Sequence, residues 1–161
     1  MIKITIEDKK VKEILERLTE KTQDLSPLMK RIGGIMLSAV EENFEQEGRP
    51  KWSPLSSKTI KQREKKGHWP GKILQLSGRL ASSISMSYSK DSAIVGTNVK
   101  YASTHQFGFQ GLVSVRTHER KGKPVKAHPR KMNIPARPFL KLTDEDMQKI
   151  KEAMLEYLKA L

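Results

Sequence analysis

The chain has 161 residues, is 36% hydrophobic and contains no cysteine, which suits one ordinary domain with a single core and excludes disulfides, thiolate zinc sites and cysteine nucleophiles. Its formal net charge of +13 is segregated: residues 1–47 hold 8 Lys+Arg against 10 Asp+Glu, residues 48–141 hold 20 against 3, and residues 142–161 hold 3 against 5. No apolar run approaches the ~18 residues that span a bilayer, and the N-terminus has no export-type apolar segment, so a soluble protein of a reducing cytoplasm is expected.

In chain order, Ile2, Ile4 and Ile6 alternate with Lys3 and Thr5, the period-two pattern of a short half-buried strand. Val11, Ile14, Leu15 and Leu18 then recur at helical spacing. After a break at Asp24–Pro27, Ser26 and Pro27 suit the N-cap and first position of a second helix. Its apolar residues Leu28, Ile32, Ile35, Met36, Ala39 and Phe44 share one face. Gly33 and Gly34 cost this helix about 1 kcal/mol each relative to alanine, which a close helix crossing or subunit contact would explain.

Residues 48–71, GRPKWSPLSSKTIKQREKKGHWPG, read as a long loop with a short helix near Ser57–Lys66. Trp52 and Trp69 each need a cover for a large apolar face, supplied either by the domain's own core or by another subunit. Leu74, Leu76, Leu80 and Ile84 suit a short helix over Gln75–Ser82, and SISMSYS and AIVGT read as two strands joined as a hairpin at Lys90 and Asp91. Val99–Gly108 reads as a turn of helix closing into a loop. Gly111–Arg130 reads as a basic excursion without regular structure. Thr143 followed by Asp144, Glu145 and Asp146 forms a capping-box start, with acids at the positive end of the helix dipole. The helix that follows places Met147, Ile150, Met154, Tyr157, Leu158 and Leu161 in an apolar stripe.

Catalysis finds little support in these residues. Only Glu64, Asp91 and Glu119 lie within the basic centre, whereas metal-assisted phosphodiester cleavage needs clustered carboxylates. His68, His105, His118 and His128 lack metal-ligand spacing. The segment GHWPGK lacks the ending of a phosphate-cradling loop, and no GxSxG is present. No enzymatic activity, metal or cofactor is therefore expected. The cationic centre, densest over Lys58–Lys66 and Arg116–Lys131, points instead to an anionic neighbour.

Phe44, GRPKWSPLS, LQLSGRLASSI, VGTNVKYASTHQFG and IPARPFL, in that order and followed by a terminal helix, resemble the phage virion morphogenesis family over roughly residues 40–160. These are tail completion and head-tail joining proteins of contractile-tailed phages of the Mu and P2 kind. The resemblance implies an α+β subunit, with N-terminal helices and a C-terminal helix packed on a small antiparallel sheet beside long basic loops. It also implies a structural role in the virion, at the neck or tail end, after assembly in the host cytoplasm. The implied partners are further copies of the chain, as a ring for which six is one candidate size, together with tail-tube or terminator and head-neck connector proteins.

Within the matching motifs, Gly78, Leu80, Ile84, Gly96, Gly108, Pro135, Pro138 and Phe139 read as structural. Gly96 in particular is expected to need a backbone conformation that other residues resist. Trp52, Trp69, Tyr101, His105, Phe107, Phe109, Arg116, Arg120, Arg130 and Arg137 are the candidate contact residues, with aromatics and Arg137 as anchors. The Gly67–Lys72 insertion and the basic stretch Arg116–Lys131 depart from the family's pattern. Two readings of the basic centre stand side by side. It either lines a lumen that DNA passes or faces an acidic neighbouring ring, or it serves a free DNA-binding or packaging accessory factor, although no helix-turn-helix, zinc finger or RNP signature supports the latter.

Overall fold

The computed structural model describes residue 20, residues 24–120 and residues 122–160. The expected first strand and first helix, and Leu161, lie outside the described residues. The observed order is α1 (Ser26–Glu45), α2 (Ser57–Glu64), α3 (Arg79–Ser82), β1 (Ile84–Tyr88), β2 (Ala93–Thr97), α4 (Ala102–Phe107), β3 (Phe109–Val115), β4 (His118–Arg120), β5 (Lys123–Val125), β6 (His128–Ile134) and α5 (Asp144–Lys159). The fold is α+β, with its strands in three two-stranded sheets. The described residues divide into two compact units: one takes those up to Glu41 with Ile84–Gly96 and those from Leu142, and the other takes those of Glu42–Ser83 and Thr97–Lys141.

In the first unit α1 starts one residue earlier than its sequence suggests. Ser26 is already helical, the Met29 N–H donates to Leu25 O at 2.8 Å, and the side chain of Asp24 accepts the Ser26 N–H at 2.9 Å. Bonds from Ser26 hold the Asp24 carboxyl below its ordinary range. The β1–β2 hairpin turns through Ser89–Ser92, where the Ser89 N–H donates to Ser92 O at 2.8 Å. It packs on α1 at Gly33, where an added Cβ would lie 2.5 Å from Met86 Sδ. Gly34 has open space in the same test, so only the first of the pair is explained by close packing.

Helix α5 begins as its acidic first turn predicts. Asp146 Oδ2 accepts the Thr143 N–H at 2.9 Å, and the Asp146 N–H donates back to Thr143 Oγ1 at 3.3 Å. Its apolar stripe is only partly covered. Ala153 is buried and Ile150 and Tyr157 are half-buried, whereas Met147, Met154 and Leu158 stay exposed. Arg31 of α1 reaches Glu156 of α5 at 2.6 Å with both side chains exposed, a pair that water and salt weaken.

The second unit is built around Asn43, Phe44, Trp52 and Phe139. The Phe44 ring lies 5.8 Å from Trp52 in an edge-on contact and 5.3 Å from Phe139. Asn43, 1% exposed, donates through Nδ2 to Phe139 O at 2.9 Å and Lys141 O at 2.8 Å. Its Oδ1 accepts from Arg49 Nε at 2.9 Å. Trp52 donates from Nε1 to Pro138 O at 3.2 Å, so every polar atom at this junction is engaged, as burial demands.

Helix α4 holds the same segment from its other side. Gln106 Oε1 accepts the Phe139 and Leu140 N–H groups at 3.0 Å each, while the Arg137 N–H donates to His105 O at 2.7 Å. At the end of α4, Gly108 has φ +76°, and an added Cβ would lie 2.9 Å from both Ala136 N and Ile134 O. Conformation and space both require glycine there. Gly96 departs from its expected role: it lies in β2 outside the left-handed region, with nothing within 4 Å of an added Cβ.

The basic excursion is also ordered differently from its reading as a loop. β3 and β6 pair antiparallel from Phe109↔Ile134 to Val115↔His128, and β4 and β5 continue outward from His118↔Val125 to Arg120↔Lys123. Most of these side chains are exposed, and in the β3–β6 pair half-burial is limited to Gly111 and Val115 of β3 and Met132 and Ile134 of β6, too few positions to mark two strands.

Asn43→Ala leaves two carbonyls and the Arg49 Nε–H without their partner, and it is expected to lower unfolding free energy by about 2–3 kcal/mol, seen as a lower urea midpoint at unchanged m. Gly34→Ala, which meets no steric obstacle, is expected to raise that midpoint, by about 1 kcal/mol of helix propensity at most.

Candidate functional site

The matching motifs converge in the second unit on a cavity of about 510 Å³. Leu74, Leu76 and Leu80 supply an apolar wall, α4 supplies Tyr101 and His105, and the extended approach to the last helix supplies Pro135 and Arg137. Gly78 begins α3 at φ +70°, which aims Leu80 inward, where it is buried. The Tyr101 and His105 rings meet edge-on at 5.9 Å.

Two guanidinium groups close this cavity. Arg137, 5% exposed, donates from Nε to Ser53 O and from Nη2 to Pro54 O, both at 2.9 Å. Arg63, 7% exposed, donates from Nη1 to Lys72 O at 3.0 Å. No carboxylate lines the cavity, and Arg63 Nε and His105 Nδ1 are buried without a hydrogen-bond partner. Burial, then the Arg137 charge, pushes His105 below its ordinary value. Burial and the Arg63 charge likewise lower Arg137.

A second concavity, of about 1000 Å³, lies between α2 and the outer ribbon, and its cations are Lys58, Lys61 and Lys65 on one wall with Arg120 and Arg130 on the other. His118 and His128 join them, again with no carboxylate. Their Nδ1 atoms lie 3.0 and 2.9 Å from the carbonyl oxygens of Arg116 and Lys126. α2 is capped by Ser56, whose Oγ accepts the Thr59 N–H at 3.3 Å.

The ten candidate contact residues thus separate. Tyr101, His105 and Arg137 line the first cavity, and Arg120 and Arg130 line the second, whereas Arg116 lines neither. Phe107 is 78% exposed, Phe109 and Trp69 are also exposed, and Trp52 is buried. Trp52 and Arg137 therefore act as internal supports of this unit, because their polar atoms are spent on its own carbonyls. Of the structural set, Gly108, Pro138 and Phe139 build the junction described above, and Ile84 and Gly96 lie in the other unit. Arg63 and Gln106 have roles that their sequence context does not disclose. Arg63 stands among exposed lysines, and Gln106 differs from any surface glutamine only by its neighbours in space. Among the described residues no cluster of three or more His, Asp or Glu could hold a metal ion, and no helix is long and apolar enough to cross a membrane.

Arg137→Ala leaves the Ser53 and Pro54 carbonyls without their charged donor, so the free monomer should lose about 2–3 kcal/mol of stability, measured by chemical denaturation. His105 gives a pH signature with a defined sign. Its folded state resists protonation, so the unfolded chain takes up the proton first as pH falls below the ordinary value of 6.5. The stability present above that pH declines as pH falls toward the depressed folded value. Melting temperatures across pH 5–8, a range of about three units around the histidine transition, should show a decline that His105→Gln reduces.

Comparison with known proteins follows the same line. Mu-like prophage FluMu G protein 2 of Haemophilus influenzae is 40% identical over 162 residues, covering 100% of this chain and 99% of its own length. The putative capsid assembly protein G of Escherichia phage Mu is 29% identical, covering 98% and 94%. FluMu G protein 1 of H. influenzae is 29% identical over 139 residues, covering 83% and 80%. No solved structure matches. A family pattern that runs from residue 6 to residue 159 takes in both units and all the motifs that meet at the cavity, and by it the chain belongs to the phage virion morphogenesis family.

Proposed function

We propose that this protein is a structural component of phage assembly that completes the tail or joins it to the head, working as an oligomeric ring at the neck or tail end. The observation that carries the reading is the set of large apolar side chains that the second unit leaves exposed. Phe107 is 78% and Leu112 71% exposed, with Phe109 also open to solvent, on the short helix and strand that follow the cavity. Burying one such side chain against a neighbour contributes about 1.5–3 kcal/mol, and aromatic anchors of this kind dominate subunit contacts.

The family and its relatives support an assembly role: the phage Mu relative bears the name of a putative capsid assembly protein. Copies of the same chain, tail-tube or terminator proteins and head-neck connector proteins are the partners this role calls for. The virion is then its final location. The alternative of a free DNA-binding or packaging accessory factor draws its support from the carboxylate-free cationic cleft, which an assembly protein can carry as well.

An early stop codon in this gene, in a phage or prophage, is expected to yield filled heads beside unattached or aberrant-length tails by electron microscopy. Normally joined particles would exclude the reading. Phe107→Ser should leave the monomer's melting temperature within a degree or two while reducing incorporation into particles, as expected for an exposed contact residue.

A further inference from the structure

The cleft between α2 and the outer ribbon has a chemistry that selects among anionic partners. Lys58, Lys61 and Lys65 recur at i, i+3 and i+7, which sets them along one side of α2. Arg120 and Arg130 face them across the cleft. Cations thus stand on two walls with no carboxylate between them to neutralise the field.

Among the described residues the lining has Val115 and Val125 as its apolar members and contains no Phe, Tyr or Trp; its rings are the imidazoles of His118 and His128. A protein partner draws its affinity from aromatic and aliphatic groups buried in desolvated pockets. Single-stranded nucleic acid binds by stacking bases on aromatic rings. For either purpose this lining supplies two valines and two small imidazoles, each with Nδ1 against a carbonyl of its own ribbon, and no large ring. What it offers is point charge on a fixed frame, with Ser57 and Gln62 as neutral polar groups, and that is the set of side chains that contacts duplex phosphates. Duplex DNA carries one charge per ~1.7 Å of axis, and neutralising those charges releases counterions.

We propose that this cleft grips the phosphate backbone of double-stranded DNA without sequence preference. The site adds to the assembly role and does not depend on which end of the tail the protein occupies, so particle morphology and DNA binding test the two separately.

Because a protein of this charge binds DNA weakly through any basic surface, the test compares positions at constant net charge. Full-length protein is titrated with a short fluorescent duplex of arbitrary sequence, from roughly 50 to 200 mM salt. One variant combines Lys58→Ala, Lys61→Ala and Lys65→Ala. Its control combines Lys100→Ala, Lys141→Ala and Lys151→Ala, which are exposed and outside the cleft. At about 0.9 per phosphate contact, the cleft variant should flatten the slope of log affinity against log salt by about 2–3 and bind at least tenfold more weakly. The control should change each by less than half as much. Arg120→Gln with Arg130→Gln, on the opposite wall, should flatten the slope by about 2, more than a Lys100→Ala, Lys141→Ala double control, and serves as the readout if the lysine variant melts early.

Equal effects of cleft and control variants would overturn the proposal. So would the absence of salt-dependent duplex binding by the unaltered protein, and in that case an acidic protein surface becomes the partner to seek.

Discussion

The second unit depends on one buried amide. Asn43 sits at the last turn of α1 and spends its side chain on two carbonyls almost one hundred residues away, at Phe139 and Lys141, while accepting from Arg49. An apolar residue of the same volume would fill the space and leave those carbonyls unpaired, which is costly in a low-dielectric interior. An amide offers both donor and acceptor, so it fixes the direction of the chain as well as its proximity. Around it the rings of Phe44, Trp52 and Phe139 supply the burial, and Gln106 bonds the same strand of backbone from the far side. Everything between Gly108 and Pro135 is thereby held at two closely spaced ends.

That arrangement accounts for the cationic ribbon. A two-stranded ribbon with solvated faces has little apolar burial to order it, and this one is anchored where Phe109 pairs with Ile134 beside a glycine that no side chain could replace. The strong charge of the chain's centre is therefore presented on backbone of fixed register, and α2 meets it with a second row of cations. Electrostatic recognition gains from such fixity, because charges that are already positioned lose less freedom on meeting their counterpart.

The sequence reveals these features unevenly, for physical reasons. The C-terminal helix start, the β1–β2 hairpin and the short helix at Ser57 are local devices, in which a hydroxyl, a turn or a cap acts on residues three or four away, and they are legible from the sequence alone. The family motifs are legible too, because their order survives along the chain. Arg137 misleads, and Trp52 stays open between core and subunit contact, because the residue types that make good contact anchors also make good internal supports. Only their surroundings, here Pro138 O for one and Ser53 and Pro54 for the other, separate the two uses. The ribbon is hidden because period-two patterning reports one-sided burial, and here only a few positions, such as Met132 and Ile134, show it. Arg63 is hidden in the same way, as one cation among several until its burial sets it apart.

The β3–β6 ribbon has a further property. In a sheet of two strands each strand is an edge, so both present unpaired N–H and C=O groups along their outer sides, a template onto which another extended chain could add. On this ribbon the outer edge of β6 runs among His128, Arg130 and Lys131, whereas β3 carries no charged residue. Two free copies approaching through their β6 edges would bring like charges together, which opposes self-pairing along that edge while subunits accumulate. The same basic residues therefore guard the unassembled protein against runaway polymerisation, a safeguard that an anionic surface would lift by neutralising them.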